Sequence, residues 1–275
     1  MLRSIGLSLI LLVVKIGNAQ SISTLMGARA AGMGFASSGL VDEWSLFNNA
    51  GTIGSQENIS AVAAYEIRSQ LKNASRMAFA FNAPMRWGVG SVGAFRFGDD
   101  LYNEQIISAG FGNKFGIASL GVKVNYIQYH ADGFGTNSAF SIDFGGLAQL
   151  TDQLSIGAYI TNLNQAKINN DLNVERLPTR LTAGITFKPK ENLLVTSEID
   201  KDLDYALSWR TGMEYSFKQK FFFRTGFNLK PQSGFFGVGA KRKNLQADYA
   251  VQFNSITGAS HQASASYRIN RKSTK

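Results

Sequence analysis

The sequence predicts an all-β chain, a transmembrane antiparallel β-barrel of about 14 strands with an N-terminal plug segment in the lumen. Three observations carry that prediction. The chain alternates with a period of two from Glu57 onward, its connections alternate between tight and long, and its first residues read as an export signal with no apolar helix after it.

The alternation is clearest in one stretch. Tyr205, Leu207, Trp209, Thr211, Met213, Tyr215 and Phe217 fall on one side of an extended chain, and Ala206, Ser208, Arg210, Gly212, Glu214 and Ser216 on the other, because successive strand side chains point to opposite faces. The same beat places strands at 58–67, 75–83, 87–97, 104–112, 116–128, 137–149, 153–162, 180–188, 192–200, 205–217, 220–229, 234–241, 244–253 and 260–270. Tilted strands of about 9–11 residues cross a bilayer, and bacterial barrels use an even number.

Facing follows from the pleat. Lipid-facing candidates include Met77, Phe79, Phe81, Val122, Val124, Phe140, Ile142, Leu181, Ile185, Phe221, Phe223, Leu245, Tyr249 and Phe253. The opposite register carries Glu66, Arg68, Arg76, Arg96, Lys123, Asp143, Lys188, Glu198, Asp200, Arg210, Glu214, Arg224, Lys241, Asp248 and Arg268. An Arg or Lys in lipid at the bilayer midplane costs about 2–4 kcal/mol, so these charges are expected to face the lumen. Opposite signs on neighbouring strands predict ion pairs, Glu214 with Arg224 and Asp248 with Arg268. Aromatics near strand ends, Trp87, Tyr102, Tyr126, Tyr129, Tyr205, Trp209 and Tyr215, are read as interfacial girdles.

Short turns fall on one side of the barrel and longer polar loops on the other, the pattern in which the short side is periplasmic. The short side is also basic, with Arg86, Lys114, Lys190, Lys218, Lys220, Arg242 and Lys243 as candidate contacts for anionic lipid headgroups or a docking partner. The long side holds Asp99, Asp100, Glu104, Asp132, Asp171, Glu175, Asp202 and Asp204. Oxygen-ligand calcium binding needs a specific loop spacing that is missing here, so these are read as solvated loop charges.

Residues 1–19 read as a cleaved signal peptide: Arg3 supplies the positive end, Ile5 to Val14 the apolar stretch, and Gly17-Asn18-Ala19 the small-residue site. Residues 20–56 form the plug or hatch segment, 57–270 the barrel, and 271–275 a basic periplasmic tail. The predicted location is the outer membrane of a Gram-negative bacterium. The formal charge of +9 comes without a basic run interleaved with aromatics, which argues against nucleic acid. The chain has no Cys and two His residues, His130 and His261. With no nucleophile elbow either, an enzyme is not expected, and neither is a cofactor or a metal.

The plug segment is Gly- and Ala-rich, and its candidate residues are Gly27, Arg29, Gly32, Met33, Gly34, Trp44, Asn48 and Asn49. Asp42 to Asn48 looks helical. Ala30 to Ser38 is compatible with a strand as well as with plug structure.

Several blocks resemble a known family. Gly27 to Gly34, the segment Asp42-Glu43-Trp44-Ser45-Leu46-Phe47-Asn48-Asn49-Ala50-Gly51, Leu177 to Leu181 and the ending His261 to Ile269 resemble the PorV/PorQ group of outer-membrane proteins from Bacteroidota, related to the FadL-type fatty-acid channels. Asn49 stands where that group usually has Pro. The resemblance implies a FadL-like barrel with its N-terminal segment inside. It also implies a role as a scaffold or partner subunit of a type IX-like secretion or surface-assembly machine, with outer-membrane lipids and proteins as partners. The alternative is a FadL-like channel for a hydrophobic small molecule, in which Val62, Leu194, Phe222 and Phe235 should line one continuous pocket. A plain diffusion porin ranks third.

Overall fold

The computed structural model describes residues 23–71, 73–169, 174–255 and 257–269. Three short helical pieces come first: α1 (Ala28–Gly32), α2 (Ser45–Asn48) and a 3₁₀ turn over Ala50–Ser55. The strands follow as β1 (Ile59–Arg68), β2 (Arg76–Met85), β3 (Gly88–Gly98), β4 (Tyr102–Phe115), β5 (Ala118–Ala131), β6 (Gly135–Gln149), β7 (Leu154–Thr161), β8 (Lys167–Asn169), β9 (Val174–Arg176), β10 (Arg180–Lys190), β11 (Leu193–Asp202), β12 (Ser208–Phe217), β13 (Phe221–Asn228), β14 (Ser233–Arg242), β15 (Leu245–Asn254) and β16 (Gly258–Ile269).

All but β8 and β9 close into one barrel, each strand antiparallel to both neighbours, with β1 pairing β16 from Ile59 opposite Ile269 to Arg68 opposite Ser260. Closure gives every wall strand two neighbours, as a lipid environment demands of a sheet, with β6 meeting β7 only over residues 144–149. The wall therefore has fourteen strands. The two further strands, β8 and β9, pair only with each other inside the connection from β7 to β10. That hairpin folds inward, since Ile168 and Leu177 are buried and Asn162 Nδ2 donates to the Leu177 carbonyl at 2.9 Å.

The pleat sorts residues as alternation requires. Phe79, Ile107, Phe140, Leu181, Phe223 and Phe236 are exposed on the outer face, whereas Val62, Ala80, Asn125, Glu198, Arg224 and Gln262 are buried on the inner one. Several positions depart from the sequence reading; Tyr102, in the inward register of Glu104, lines the open end of the lumen. Arg96 lies opposite Met77 and so faces outward, near the end of β3, where it meets Asp100 at 3.7 Å. A cation there sits at the membrane edge rather than in lipid. Tyr129 lies opposite Glu104 and faces the interior, because β5 continues to Ala131 instead of ending before it.

Tight connections cluster at one end: β2–β3, β4–β5, β10–β11 and β14–β15 are each joined through two residues. The space inside that end is filled by residues 23–56. Met26, Met33, Leu46 and Ile53 are wholly buried there. Ala30 to Ser38 forms no strand; α1 ends at Gly32 and the chain turns. The segment approaches the wall so closely that a Cβ on Gly157 would lie 1.9 Å from the Ser38 carbonyl oxygen. No other residue type fits there.

Candidate functional site

The interior is built from two opposed walls with residues 23–56 between them. Within that segment, Gly27 adopts φ 100° with the Trp44 ring packed where a side chain would be. Asn48 accepts the Met26 N–H at 3.1 Å and donates to the Met26 carbonyl at 3.0 Å. Asn49 accepts the Gly51 N–H at 2.8 Å, capping the 3₁₀ turn, and donates to the Ser38 carbonyl at 2.6 Å. These bonds tie the two ends of the segment to each other.

Toward β10–β16 the contacts are ionic and hydrogen-bonded. Arg29 donates to Glu214 through Nη2 at 2.8 Å and Nε at 3.0 Å, and reaches Asp42 at 3.4 Å. Glu43 pairs with Arg268. Glu198 Oε2 accepts the backbone N–H groups of both Ser37 and Ser38 at 2.9 Å, while its Oε1 takes Arg210 at 3.0 Å. Met33 is buried with Leu40 and Leu194, Gly32 lies against Arg224 and Gly237, and Gly34 against the Phe227 backbone. Asp42 is buried, and that burial, offset by Arg29 and reinforced by Glu43, pushes its carboxyl up to about 6.

Glu214 and Arg224 are directly opposite across β12 and β13 and meet at 2.6 Å. Asp248 does not meet Arg268. It lies opposite Ser264 and Gly239 and bonds Arg224 at 2.8 Å, leaving Arg268, farther along β16, to Glu43 of the inner segment. The inner partners Ser37, Ser38, Asp42 and Glu43 carried no periodic signal that would have singled them out.

Toward β1–β6 the contacts combine apolar packing with hydrogen bonds to backbone carbonyls, Asn82 Nδ2 donating to Glu43 at 2.9 Å and Ser119 Oγ to Gly51 at 2.7 Å. Leu46, Phe47, Ala50 and Ile53 form one cluster with Val62, Ala80, Phe95, Ile106 and Ile127. Val62, Leu194, Phe222 and Phe235 do not line one continuous pocket: Leu194 and Phe222 share a cavity at the short-turn end, Val62 belongs to this cluster, and Phe235 to another where it meets Phe35 edge-on at 6.1 Å. Residues 23–56 stand between them.

On the long-loop side, besides a hollow lined by Ser69, Ala74, Phe97 and Tyr102, two adjoining cavities lead into the lumen. A vestibule of about 690 Å³ opens among Arg68, Arg76, Tyr102, Tyr205 and Lys230. It adjoins an inner cavity of about 100 Å³, the two sharing Ser23, Leu25, Glu104, Arg180, Asp200 and Arg210. Beyond the segment, at the short-turn end, a separate cavity of about 230 Å³ is lined by Arg29, Lys188, Glu214, Phe222 and Lys241.

The remaining candidates are scattered. Arg86, Lys114, Lys190, Lys218, Lys220, Arg242 and Lys243 are exposed around the short-turn end. Glu104 and Asp202, read from sequence as loop charges, turn into the interior instead. Among the described residues no three acidic or His side chains gather as a metal site. His130 bonds Thr136 at 2.9 Å, and His261 bonds the Tyr249 hydroxyl at 2.6 Å on the outer face. Asp171, the side chain of Glu175, the signal peptide and the tail 271–275 lie outside the described residues.

No family model and no curated protein matches the sequence. Solved structures share the fold. The Pseudomonas putida toluene transporter TodX superposes with a TM-score of 0.67 at 13% identity, covering 90% of this chain and 98% of that one. The Ralstonia pickettii toluene transporter TbuX gives 0.66 at 16%, covering 90% and 99%. A Pseudomonas aeruginosa FadL homologue gives 0.61 at 11%, covering 88% and 98%. The expected role as a secretion or surface-assembly scaffold is corrected by these neighbours: they are transporters and a FadL homologue, none a secretion subunit or an enzyme, and nothing in them supports the PorV/PorQ or Bacteroidota assignment. The chain has the fold of a FadL-like outer-membrane β-barrel.

Proposed function

We propose that this barrel is an outer-membrane conduit for small hydrophobic molecules, exported by a cleaved signal peptide, with residues 23–56 as its plug. One observation carries the reading: the lumen narrows from an open vestibule to a small cavity with an apolar side, and the straight path onward is filled by Ser23 to Gln56. A water-filled diffusion pore would leave that path open. Two neighbours with this fold are toluene transporters, which fits the same substrate class. In this reading the exposed lysines and arginines at the short turns contact anionic headgroups.

The test is uptake. Host cells lacking a barrel of this fold would be supplied with radiolabelled single-ring compounds, with and without the full chain in the outer membrane. The conduit predicts faster entry with the chain present, and slower entry when Ile127→Phe fills the inner cavity. Equal entry rates in all three strains would overturn it.

A further inference from the structure

We infer that the inner cavity selects neutral, oxygen-bearing molecules of single-ring size over plain hydrocarbons and over carboxylates; this rests on the conduit reading. The size is set by the volume. At about 100 Å³ the cavity is of the order of the ~150 Å³ apolar void that holds benzene. Its lining is chemically divided: Leu25, Phe47, Ile106, Ile127 and Leu177 offer an apolar surface to a ring, and Ser108, Lys123, Asn125 and Asp143 continue the β4–β6 wall below Ile106 and Ile127 as a polar cluster.

That cluster has a donor to spare, while its nearest acceptors are already bonded. Lys123 is buried and its ammonium bonds Asp143 Oδ2 at 2.8 Å. An ammonium carries three hydrogens, and this is the one ion pair Lys123 makes among the described residues. Asp143 is already engaged: Oδ1 accepts the Asn162 N–H at 2.9 Å, and Oδ2 accepts Asn125 Nδ2 at 3.1 Å as well as Lys123. The Asn125 carbonyl oxygen is taken by Ser108 Oγ at 2.6 Å. An incoming group is therefore recognised if it brings an acceptor oxygen, as an alcohol, ether or carbonyl does.

Charge balance excludes a carboxylate as the preferred head. The lining holds Glu104, Asp143 and Asp200 against Lys123, Arg180 and Arg210, so the wall is neutral before a ligand enters. A carboxylate would add a charge with no counter-ion in a site withdrawn from water. A hydrocarbon would displace water from the Lys123 side without replacing its hydrogen bonds, which loses affinity.

The experiment uses the full chain in lipid nanodiscs with Trp87→Phe and Trp209→Phe, leaving Trp44 as the one tryptophan. Its ring lies 6.2 Å from that of Phe47, which lines the cavity. Trp44 fluorescence would be titrated with benzyl alcohol, toluene and benzoate. Benzyl alcohol is expected to bind about tenfold more tightly than either, the value of one well-made hydrogen bond. Ile127→Phe should weaken binding, and Lys123→Met with Asp143→Asn, which removes the donor without stranding a carboxylate, should bring the alcohol-to-toluene ratio to about one. The wild-type ranking stands without either variant, so a folding failure does not blunt the test. Toluene binding as tightly as the alcohol, or benzoate binding most tightly, would overturn the selectivity and leave the conduit intact. Uptake without any response of Trp44 would show that this cavity is not the site, and absence of both binding and uptake would sink the conduit reading itself.

Discussion

The two walls of the lumen hold the same inner segment by different physics. On the β1–β6 side, Leu46, Phe47 and Ile53 pack against Val62, Phe95 and Ile106. On the β10–β16 side, Arg29, Ser37, Ser38 and Glu43 are bonded to Glu214, Glu198 and Arg268. Apolar contact is non-directional and scales with the area removed from water, so on that side the register rests on a few hydrogen bonds, such as Asn82 to the Glu43 carbonyl and Ser119 to the Gly51 carbonyl. Charged hydrogen bonds have defined partners and geometry, so they decide where along the wall the segment sits. The inner cavity lies between the two, lined by Ile106, Lys123, Ile127 and Asp143 from one wall and by Arg180, Asp200 and Arg210 from the other.

The largest expected effect falls on the ionic wall. Arg224→Met would strand buried Asp248 and leave Glu214 to Arg29 alone, and is expected to destabilise the barrel by about 3–5 kcal/mol in a denaturant titration in detergent. A loss below about 1 kcal/mol would mean that the ionic wall does not set the register. On the apolar wall, Leu46→Ala removes a wholly buried side chain and should destabilise by about 2–5 kcal/mol, with the Arg29–Glu214 contact kept. A smaller change, about 1–3 kcal/mol, is expected for Gly157→Val, whose side chain would push on the Ser38 carbonyl. Its sharper readout is protease cleavage within residues 23–56, which should rise if this contact seats the segment.

A pH dependence distinguishes the contacts within the ionic wall. Because burial raises the Asp42 carboxyl to about 6 from its ordinary 3.8, the folded state holds that proton more tightly than the unfolded chain. Its contribution to stability therefore grows as pH falls through about 6 and levels off near about 4. The difference between wild type and Asp42→Asn should show that slope in melting temperature; a difference independent of pH would place the carboxyl in a normal environment. The smallest effect belongs to the exposed turn cations: Lys218→Ala should alter stability by no more than about 0.5 kcal/mol.

Much of this was legible in the sequence. The strand limits of β6, β11 and β15 fall within two residues of those read from alternation, since a lipid-facing wall forces every second residue to be apolar and allows charges only between them. Glu214 with Arg224 was legible too, because both lie on adjacent strands joined by a short turn. Asp248 with Arg268 was misread for the opposite reason: an offset of two inward positions, from Ser264 to Arg268, changes the partner, and the vacant one was supplied by Glu43 from outside the pattern. Tyr129 and Arg96 were misassigned where a strand ran on past its apparent end or reached the membrane edge.

By itself the sequence determined the wall: period-two patterning and connection length are local properties that read the solvent on each side. Only the tertiary structure decided what the wall encloses. The contact of Glu198 with Ser37 spans 161 positions in the chain. It exists because closing the barrel brings β11 around to an aperiodic segment, and neither partner leaves a local trace of the other. The inner cavity has the same origin, as volume left between two surfaces that meet only after closure.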